Sequence, residues 1–286
     1  MRYLSAFEFP SDRWEYGFIA NLRSTCYGSV YPIGVLSERG LKRLEFAPIT
    51  IFYGGNGSGK TTALNVIAEK LSLPRETPFN RSPFFEDYIR VCSAETRGAL
   101  PEGSRIITSD DVFDYMLNLR ALNEGIDRQR ENLFEEYTDA KHARFQLKSL
   151  ADYERLKQIN DARRQTKSAY VRERLMGNVR EQSNGESAFF YFTNAIGENG
   201  LYLLDEPENS LSPSRQIELA EFLENSARFF GCQFVIATHS PFLLALREAR
   251  VFNLDENPVA VRRWNTLPAV RETFDFFMRH RAEFEE

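Results

Sequence analysis

A glycine-rich segment with one lysine and two threonines is the part of the sequence best suited to chemistry. Its residues are Gly54, Gly55, Asn56, Gly57, Ser58, Gly59, Lys60, Thr61 and Thr62. The spacing from Gly54 to Thr61 fits G-x-x-x-x-G-K-[ST], a loop whose N–H groups surround phosphate at the start of a helix. In such a loop Lys60 reaches the β- and γ-phosphates, and the Thr61 hydroxyl contributes to a Mg²⁺ shell. The sequence therefore predicts that residues 55–62 bind a nucleotide.

Polar residues that could complete this site follow two other apolar runs. Asp205 and Glu206 come after residues 201–204, and His239 comes after residues 233–238. At strand ends, Asp205 can hold Mg²⁺ through water, Glu206 can polarise an attacking water, and His239 can contact the γ-phosphate. The alternative interpretations are a cap or ion pair for the two acids, and an ordinary core or surface histidine.

The segments around these residues predict an α/β fold. Residues 49–52 form an apolar run before the glycine-rich loop, and a helical pattern follows the loop. We interpret residues 1–53 as antiparallel strands, including 3–9, 31–36 and 41–53, that hold the loop in place. Later strands alternate with helices, which predicts a mostly parallel sheet with ligands at its carboxyl edge. Further predicted elements are strands at 88–93, 105–108, 251–254 and 259–263, and helices at 214–229, 242–250 and 270–284.

Residues 111–180 differ from the rest of the chain. They lack proline, and their apolar residues recur at helical spacing, with a bend predicted around 143–149. This pattern predicts a helical hairpin or short antiparallel coiled coil. The predicted domains are therefore a core, 1–110 with 181–286, and an inserted helical lobe, 111–180. The apolar positions are Met116, Leu119, Leu122, Ile126, Leu133, Tyr137 and Ala140, then Leu147, Leu150, Tyr153, Leu156 and Ile159.

The two predicted arms of this lobe carry opposite charge. The first has eight acidic and three basic residues, and the second has eleven basic and four acidic residues. Two interpretations remain open. Either the arms neutralise each other across the hairpin, or residues 141–180 keep positive charge for DNA, RNA or an acidic partner protein.

Composition limits the remaining classes of protein. The chain has 286 residues, 42% hydrophobic and 27% charged, as in an ordinary globular protein. No apolar run approaches the roughly 20 residues that span a bilayer, so we expect a cytoplasmic protein without membrane insertion. The net charge of −5 argues against a protein that coats nucleic acid over its whole surface. Cys26, Cys92 and Cys232 lie too far apart in sequence to suggest a zinc site or a disulfide framework.

The order of the motifs resembles the ABC-type ATPase domain, and more narrowly the soluble SMC/RecF-like branch of small bacterial ATPases. The resemblance rests on residues 54–61, on Gln-Ser-Asn-Gly-Glu-Ser at 182–187, on residues 203–213 and on His239. It covers nearly the whole chain apart from the details of the inserted lobe. It implies that ATP and Mg²⁺ are the ligands, with Lys60 among the catalytic residues together with Glu206 and His239.

The resemblance also implies a head-to-tail homodimer with two ATP molecules between the subunits. In such a dimer a signature segment touches the γ-phosphate bound at Lys60 of the second copy, and a dimer loop lies beside it. The signature residues are Ser183, Asn184, Gly185 and Glu186, and the dimer-loop residues are Asn209, Ser210 and Ser212. The alternative interpretation of the signature is an ordinary helix N-cap.

The sequence departs from the family pattern in several places. Asn184 replaces a common glycine, Glu186 replaces the glutamine common in transporters, and Ser212 replaces an aspartate of the transporter pattern. No glutamine follows residues 105–108, where the family often has a Mg²⁺-contacting one. The candidates to replace it are Ser109, Asp110 and Asp111. Two aromatics, Tyr27 and Tyr31, are either adenine-stacking or core residues.

These observations predict a soluble ATPase that hydrolyses ATP to ADP and phosphate and uses dimer closure as a switch. The helical lobe would transmit that state to nucleic acid or a partner protein. Genome maintenance or antiviral defence is the expectation from the resemblance. Two alternatives are an ATP-binding subunit of a membrane transporter and an ATP-dependent assembly protein with little turnover. Glu186 and the charged insertion argue against the first, whereas Glu206 and His239 argue against the second.

Overall fold

The computed structural model of the protein describes residues 2–22, 27–144, 153–175, 177 and 184–285. Two compact units are present. The first comprises Met1–Val112 and Asn184–Glu286, and the second comprises Phe113–Ser183. Within the described residues, no helix combines the length and the apolar character needed to cross a membrane.

A mostly parallel sheet occupies the first unit. Its strands are, in spatial order, β5 (Arg105–Thr108), β6 (Leu201–Asp205), β7 (Gln233–Ala237), β3 (Ile49–Tyr53), β8 (Arg250–Asn253) and β9 (Ala260–Arg262). Neighbouring strands are parallel except for β8 and β9. All residues of β3, β6 and β7 are buried, because a parallel sheet is covered on both faces. The predicted α/β fold class is confirmed.

A smaller antiparallel sheet lies in the same unit, as predicted for the N-terminal strands. Its order is β2 (Arg43–Glu45), β1 (Leu4–Glu8) and β4 (Ser93–Thr96). The buried side chain of Gln233 connects β1 to the parallel sheet. Its Oε1 accepts from the Tyr3 and Leu4 N–H groups at 2.6 and 2.9 Å, and its Nε2 donates to the Leu4 and Ala47 carbonyls at 2.8 and 3.1 Å.

Helices surround these sheets and continue into the second unit. Those of the first unit are α1 (Asp12–Asn21), α2 (Lys60–Lys70), α3 (Phe85–Val91), α7 (Asn184–Ala195), α8 (Pro213–Phe229), α9 (Pro241–Leu244) and α10 (Pro268–Arg279). Helix α4 (Ser109–His142) begins in the first unit, and α5 (Tyr153–Arg164) and α6 (Lys167–Arg172) lie in the second.

Several predicted elements of the first unit are wrong. Residues 12–21, assigned to a strand region, form α1, and the Ser11 hydroxyl caps this helix by accepting from the Trp14 N–H. Residues 31–36 form turns and not a strand, with Gly34 at a φ of 90°. The run 88–93 is mostly helical, because it continues α3, whose Phe85 and Tyr88 are buried one turn apart. The helix predicted at 242–250 ends at Leu244.

The described part of the second unit is helical, as predicted, and it has an aromatic core. Tyr137 of α4 and Tyr170 of α6 are buried with ring centroids 5.4 Å apart, and the Tyr137 hydroxyl donates to the Gln165 carbonyl at 3.1 Å. The second arm is two helices and not one, because the Thr166 side chain starts α6 by capping the Ala169 N–H. Helix α4 ends at His142, next to the bend predicted around 143–149. Positions 145–149 of that bend, including Leu147, lie outside the described residues, as does Leu150.

We expect Gln233→Leu to lower the free energy of unfolding by about 3 kcal/mol or more, because the substitution leaves four buried backbone groups without their partner. Urea unfolding monitored by circular dichroism measures this loss. The exposed Gln158→Leu is the matched control and should change stability by less than about 0.5 kcal/mol. Equal stability of the two variants would contradict the structural role of Gln233.

Candidate functional site

The glycine-rich loop joins β3 to α2 in a backbone conformation that depends on glycine. Gly57 and Gly59 have φ values of 78° and 93°, in the left-handed region. A Cβ on Gly54 would lie 2.5 Å from the Ser58 Oγ, so only glycine fits there. Helix α2 starts at Lys60, and its first N–H groups therefore have no helical partner and can bind an anion.

The Lys60 side chain is buried and folded against this loop. Its Nζ donates to the Gly54 carbonyl at 2.7 Å and to the Gly55 carbonyl at 3.1 Å. It also lies 3.8 Å from the Glu206 Oε1. The loop carbonyls thus hold the ammonium group next to the N–H groups at the start of α2.

Asp205 at the end of β6 meets Thr61 at the start of α2. The Thr61 hydroxyl donates to the Asp205 Oδ1 at 3.1 Å. Burial raises the pKa of the Asp205 carboxyl to about 7, the Thr61 hydrogen bond opposes this rise, and the Glu206 charge adds to it. Within the described residues no ion pair to Asp205 is present, and the charge of nearby Lys60 opposes the rise of its pKa only in part.

This pair of oxygen groups fits Mg²⁺. A hydroxyl and a carboxylate are hard oxygen ligands, and Mg²⁺ in nucleotide sites is held by one or two protein oxygens together with phosphates and water. No cluster of three or more His, Cys, Asp or Glu side chains able to hold a metal occurs in the described part of the chain. A site that binds the metal only together with phosphate is consistent with both observations.

Glu206, the next residue, has an unusual backbone conformation. Its φ is 48°, in the left-handed region that a glutamate rarely adopts. Its N–H donates to the Ala237 carbonyl at 2.9 Å, and its Oε2 accepts from the Asn209 Nδ2 at 3.0 Å. These contacts hold the Glu206 carboxylate near Lys60.

His239 follows β7, and a carboxylate that the sequence reasoning missed holds it. The Glu208 Oε1 accepts from the Thr238 hydroxyl at 2.7 Å and from the His239 N–H at 2.9 Å, and it lies 3.3 Å from the His239 Nδ1. Glu208 is buried, whereas about half of the His239 side chain is exposed. Contact with Glu208 through Nδ1 leaves the His239 Nε2 for a ligand. The only sequence signal for Glu208 is its place three residues after Asp205.

The signature and dimer-loop segments adjoin each other. Gly185 in the first turn of α7 is so close to the dimer loop that a Cβ on it would lie 3.4 Å from the Ser210 carbonyl oxygen. Glu186 forms an ion pair with Arg215 at 3.5 Å. Ser212 caps α8 by accepting from the Arg215 N–H, a role in which serine and aspartate are both favoured. Ser183 and the Asn184 side chain lie outside the described residues.

A cavity of about 820 Å³ adjoins Thr61, Thr62 and Asp205. Ser109 and Asp110 line this cavity, so both stay candidates to replace the missing glutamine. Asp111 does not line it: its buried carboxylate accepts from the Thr77 N–H and hydroxyl and from the Thr108 N–H.

The structure also separates the two candidate aromatics. Tyr31 lines the same cavity, and its hydroxyl donates to the Thr62 Oγ1 at 3.3 Å. Tyr27 is more than half exposed and contacts the Phe84 ring edge-on. Of the two, Tyr31 is the one beside the nucleotide-binding segment.

Comparison with known proteins gives one family match. Residues 115–245, less than half of the chain, match the family model described as "AAA domain, putative AbiEii toxin, Type IV TA system". A search of curated proteins gives no match.

Solved structures that this chain is similar to include SMC head domains and an ATP-binding cassette. An SMC head domain from Pyrococcus furiosus, bound to the C-terminal domain of ScpA, is 12% identical, with 98% of this chain and 100% of that chain covered and a TM-score of 0.43. An SMC head domain from Thermotoga maritima is 12% identical over 92% and 99% of the two chains, with a TM-score of 0.37. An ATP-binding cassette in a dimeric post-hydrolysis state with ADP and Pi is 16% identical over 79% and 90%, with a TM-score of 0.37. The predicted resemblance to ABC-type and SMC-like ATPase domains is confirmed, and roles of single residues rest on the geometry above.

We expect the free energy of unfolding of the nucleotide-free protein to fall as the pH rises from about 4 to about 7. The group responsible is the Asp205 carboxyl. The folded-state pKa of Asp205 lies above the unfolded value near 3.9, so the folded protein binds the extra proton in that window. Asp205→Asn should therefore gain stability relative to the wild type over this range, by on the order of 3 kcal/mol. Urea unfolding at several pH values measures the difference. The exposed Asp114→Asn is the control, and a pH-independent difference for Asp205→Asn would contradict the assignment.

Proposed function

We propose that the protein is an ATPase that hydrolyses ATP to ADP and phosphate at the end of β3. The observation that carries this proposal is the meeting of three chain segments at one edge of the parallel sheet. Strand β7 pairs with both β3 and β6. Lys60 therefore lies beside Glu206, and Thr61 contacts Asp205, although about 145 residues separate them in the chain. Cation, carboxylates and N–H groups are the parts that phosphoryl transfer needs.

In this proposal the loop N–H groups and the Lys60 ammonium bind the β- and γ-phosphates. Glu206 accepts a hydrogen bond from a water molecule and takes its proton as the water oxygen bonds to the γ-phosphorus. The bond from that phosphorus to the bridging oxygen breaks, and ADP carries away the electron pair. The His239 side chain, which lies beside Glu208, would contact the γ-phosphate and so distinguish ATP from ADP.

Thr61 and Asp205 are proposed to hold Mg²⁺, which when bound would neutralise charge on the β- and γ-phosphate oxygens. The buried Asp205 carboxylate gains from a cation because burial penalises its charged form. Ser109 or Asp110 would complete this side of the site from the neighbouring cavity wall.

We propose that two copies close head to tail over two ATP molecules. The support within this chain is the single surface formed by Gly185, Ser210 and Ser212, with Glu186 held by Arg215. Ser210 has a φ of 86°, a strained conformation, and its carbonyl oxygen lies beside Gly185. Ser183 and Asn184 would complete the contact with the γ-phosphate of the other copy.

The two compact units correspond, in our proposal, to a nucleotide-binding core (1–110 and 181–286) and an inserted lobe (111–180). The lobe would pass the state of the dimer to nucleic acid or to an effector protein. Several of its basic residues already have partners, such as Arg163, which donates to the Ala143 carbonyl, and Lys167, which lies over the Phe134 ring. Exposed positive charge that could face a phosphate backbone is at Arg155, Lys157, Arg164 and Arg172.

The proposed setting is genome maintenance or antiviral defence in the cytoplasm. The description of the matching family names a toxin of a type IV toxin–antitoxin system. A nucleotide-binding core that carries a charged helical lobe is consistent with an effector of this kind that ATP controls.

Glu206→Gln should bind ATP without hydrolysing it, because the amide cannot take the proton from water. It should therefore accumulate as a dimer in size-exclusion chromatography with ATP and Mg²⁺, and as a monomer without ATP. Lys60→Ala is the matched control and should stay monomeric under both conditions, because it does not hold the phosphates. A Glu206→Gln variant that hydrolyses ATP at the wild-type rate would refute the role of Glu206.

Reversal of charge at Arg155, Arg164 and Arg172 to glutamate should abolish salt-sensitive binding of DNA or RNA. Each lost phosphate contact should lower the slope of log affinity against log salt by about 0.9. Fluorescence anisotropy at several salt concentrations measures this slope. Reversal of the exposed Arg13, Arg97 and Arg263 in the first unit makes the same change in net charge and should leave binding intact. Nucleic-acid binding that survives in the lobe variant would assign the lobe to protein docking.

A further inference from the structure

An acidic residue outside the predicted site contacts the glycine-rich loop. Strand β8 pairs in parallel with β3, and Tyr53 lies opposite Asn253. The Leu254 N–H continues this pairing by donating to the Tyr53 carbonyl at 2.8 Å. The sheet register therefore places the following residue, Asp255, beside the first turn of the loop.

The Asp255 carboxylate binds a single backbone group of that turn. The Gly55 N–H donates to its Oδ1 at 3.1 Å and to its Oδ2 at 3.0 Å. The Asp255 carboxylate is also close to Gly54, because a Cβ on Gly54 would lie 3.2 Å from the Asp255 Oδ1. No ion pair to Asp255 occurs in the described residues, so its negative charge acts on this N–H group.

The opposite end of the same peptide group holds Lys60. The Gly54 carbonyl accepts from the Lys60 Nζ at 2.7 Å. Because a peptide group is planar, a contact that fixes the Gly55 N–H also fixes the direction of the Gly54 carbonyl. Asp255 and Lys60 therefore bind the two ends of one peptide dipole, and each contact strengthens the other.

Other contacts fix Asp255 itself. Its own N–H donates to the buried Asn253 Oδ1 at 3.1 Å, and the Asn253 Nδ2 donates to the Glu256 Oε1 at 2.9 Å. Glu256 is paired with Arg262 of β9 at 2.7 Å. The turn from β8 to β9 is thus held by a series of polar contacts, which gives the Asp255 carboxylate a defined position.

We propose that Asp255 is a positioning residue for nucleotide binding, which sets the Gly54–Gly55 peptide and through it the Lys60 ammonium. The inference rests on the proposed function, since it assumes that Lys60 binds the phosphates of ATP. The Lys60 side chain is long and flexible. It loses less conformational freedom on binding ATP when the carbonyl groups that hold it are already fixed in position. Loss of Asp255 should weaken the binding of ATP without removing any group that touches ATP.

The test compares ATP dissociation constants of purified full-length variants, measured by displacement of a fluorescent ATP analogue. Asp255→Ala removes the acceptor and Gly55→Pro removes the donor, so each should weaken ATP binding by about 10- to 100-fold. The double variant should be no weaker than either single variant, because both remove one hydrogen bond. Asp255→Asn retains an acceptor oxygen and should bind within about fivefold of the wild type. Gly55→Ala keeps the N–H, and its Cβ would lie 3.9 Å from the Asp255 Oδ1, so it should bind ATP more tightly than Gly55→Pro. The exposed Asp275→Ala in α10 is the matched control and should bind ATP like the wild type.

The outcomes separate this inference from the proposed function. A wild type that does not bind ATP refutes the proposed function. A wild type that binds ATP, beside an Asp255→Ala variant that binds within threefold of it, refutes only the role of Asp255. Additive losses in the double variant, or an Asp255→Asn variant as weak as Asp255→Ala, would also overturn the inference. If Asp255→Ala does not fold, the comparison of Gly55→Pro with Gly55→Ala measures the same hydrogen bond.

Discussion

The parallel pairing of β7 with both β3 and β6 determines where every candidate catalytic group lies. These strands are fully buried, so a shift in their register would disrupt close packing on both faces of the sheet and is strongly disfavoured. The pairing brings the glycine-rich loop, the Asp205–Glu206 pair and His239 to one edge of the sheet. Gln233 at the start of β7 extends this constraint to the smaller sheet, because its side chain bonds both backbone groups of Leu4, the first residue of β1.

Electrostatics explains why this edge of the sheet favours a ligand that carries a cation. Asp205 and Glu208 are both buried carboxylates, yet their surroundings differ. Glu208 accepts hydrogen bonds from a hydroxyl and from an N–H. Asp205 accepts one from Thr61 and no other within the described residues, and burial raises its pKa. A nucleotide bound with Mg²⁺ would add a second positive charge beside Asp205, besides that of Lys60, and would give the N–H groups at the start of α2 an anion.

Much of the fold and site could be predicted because the signals are local in sequence. The glycine-rich loop, the buried strands and the polar residues that follow them are contiguous patterns. Their roles in catalysis, in the metal site and in the dimer remain predictions. Glu208 and Asp255 could not be predicted in the same way, because their importance depends on a partner on another strand. Asp255 contacts Gly55 only because β8 lies beside β3, an order that no local pattern encodes.

The errors in secondary structure have a similar cause. The run 88–93 contains β-branched residues, but burial of Tyr88 one turn after Phe85 favours the helix. Residues 31–36 are apolar, but they cover the loop as a series of turns, where a Cβ on Gly59 would come within 3.0 Å of Leu36. Tertiary contacts override local preference at both places.

Phosphate release from ATP by the purified protein, at saturating ATP and Mg²⁺, tests the central claim most directly. The wild type should release phosphate over many turnovers, and Lys60→Ala should release none above the buffer background. Absence of phosphate release by the wild type, with and without DNA or RNA, would contradict the assignment of this site to ATP hydrolysis. Equal rates for the two proteins would contradict it as well.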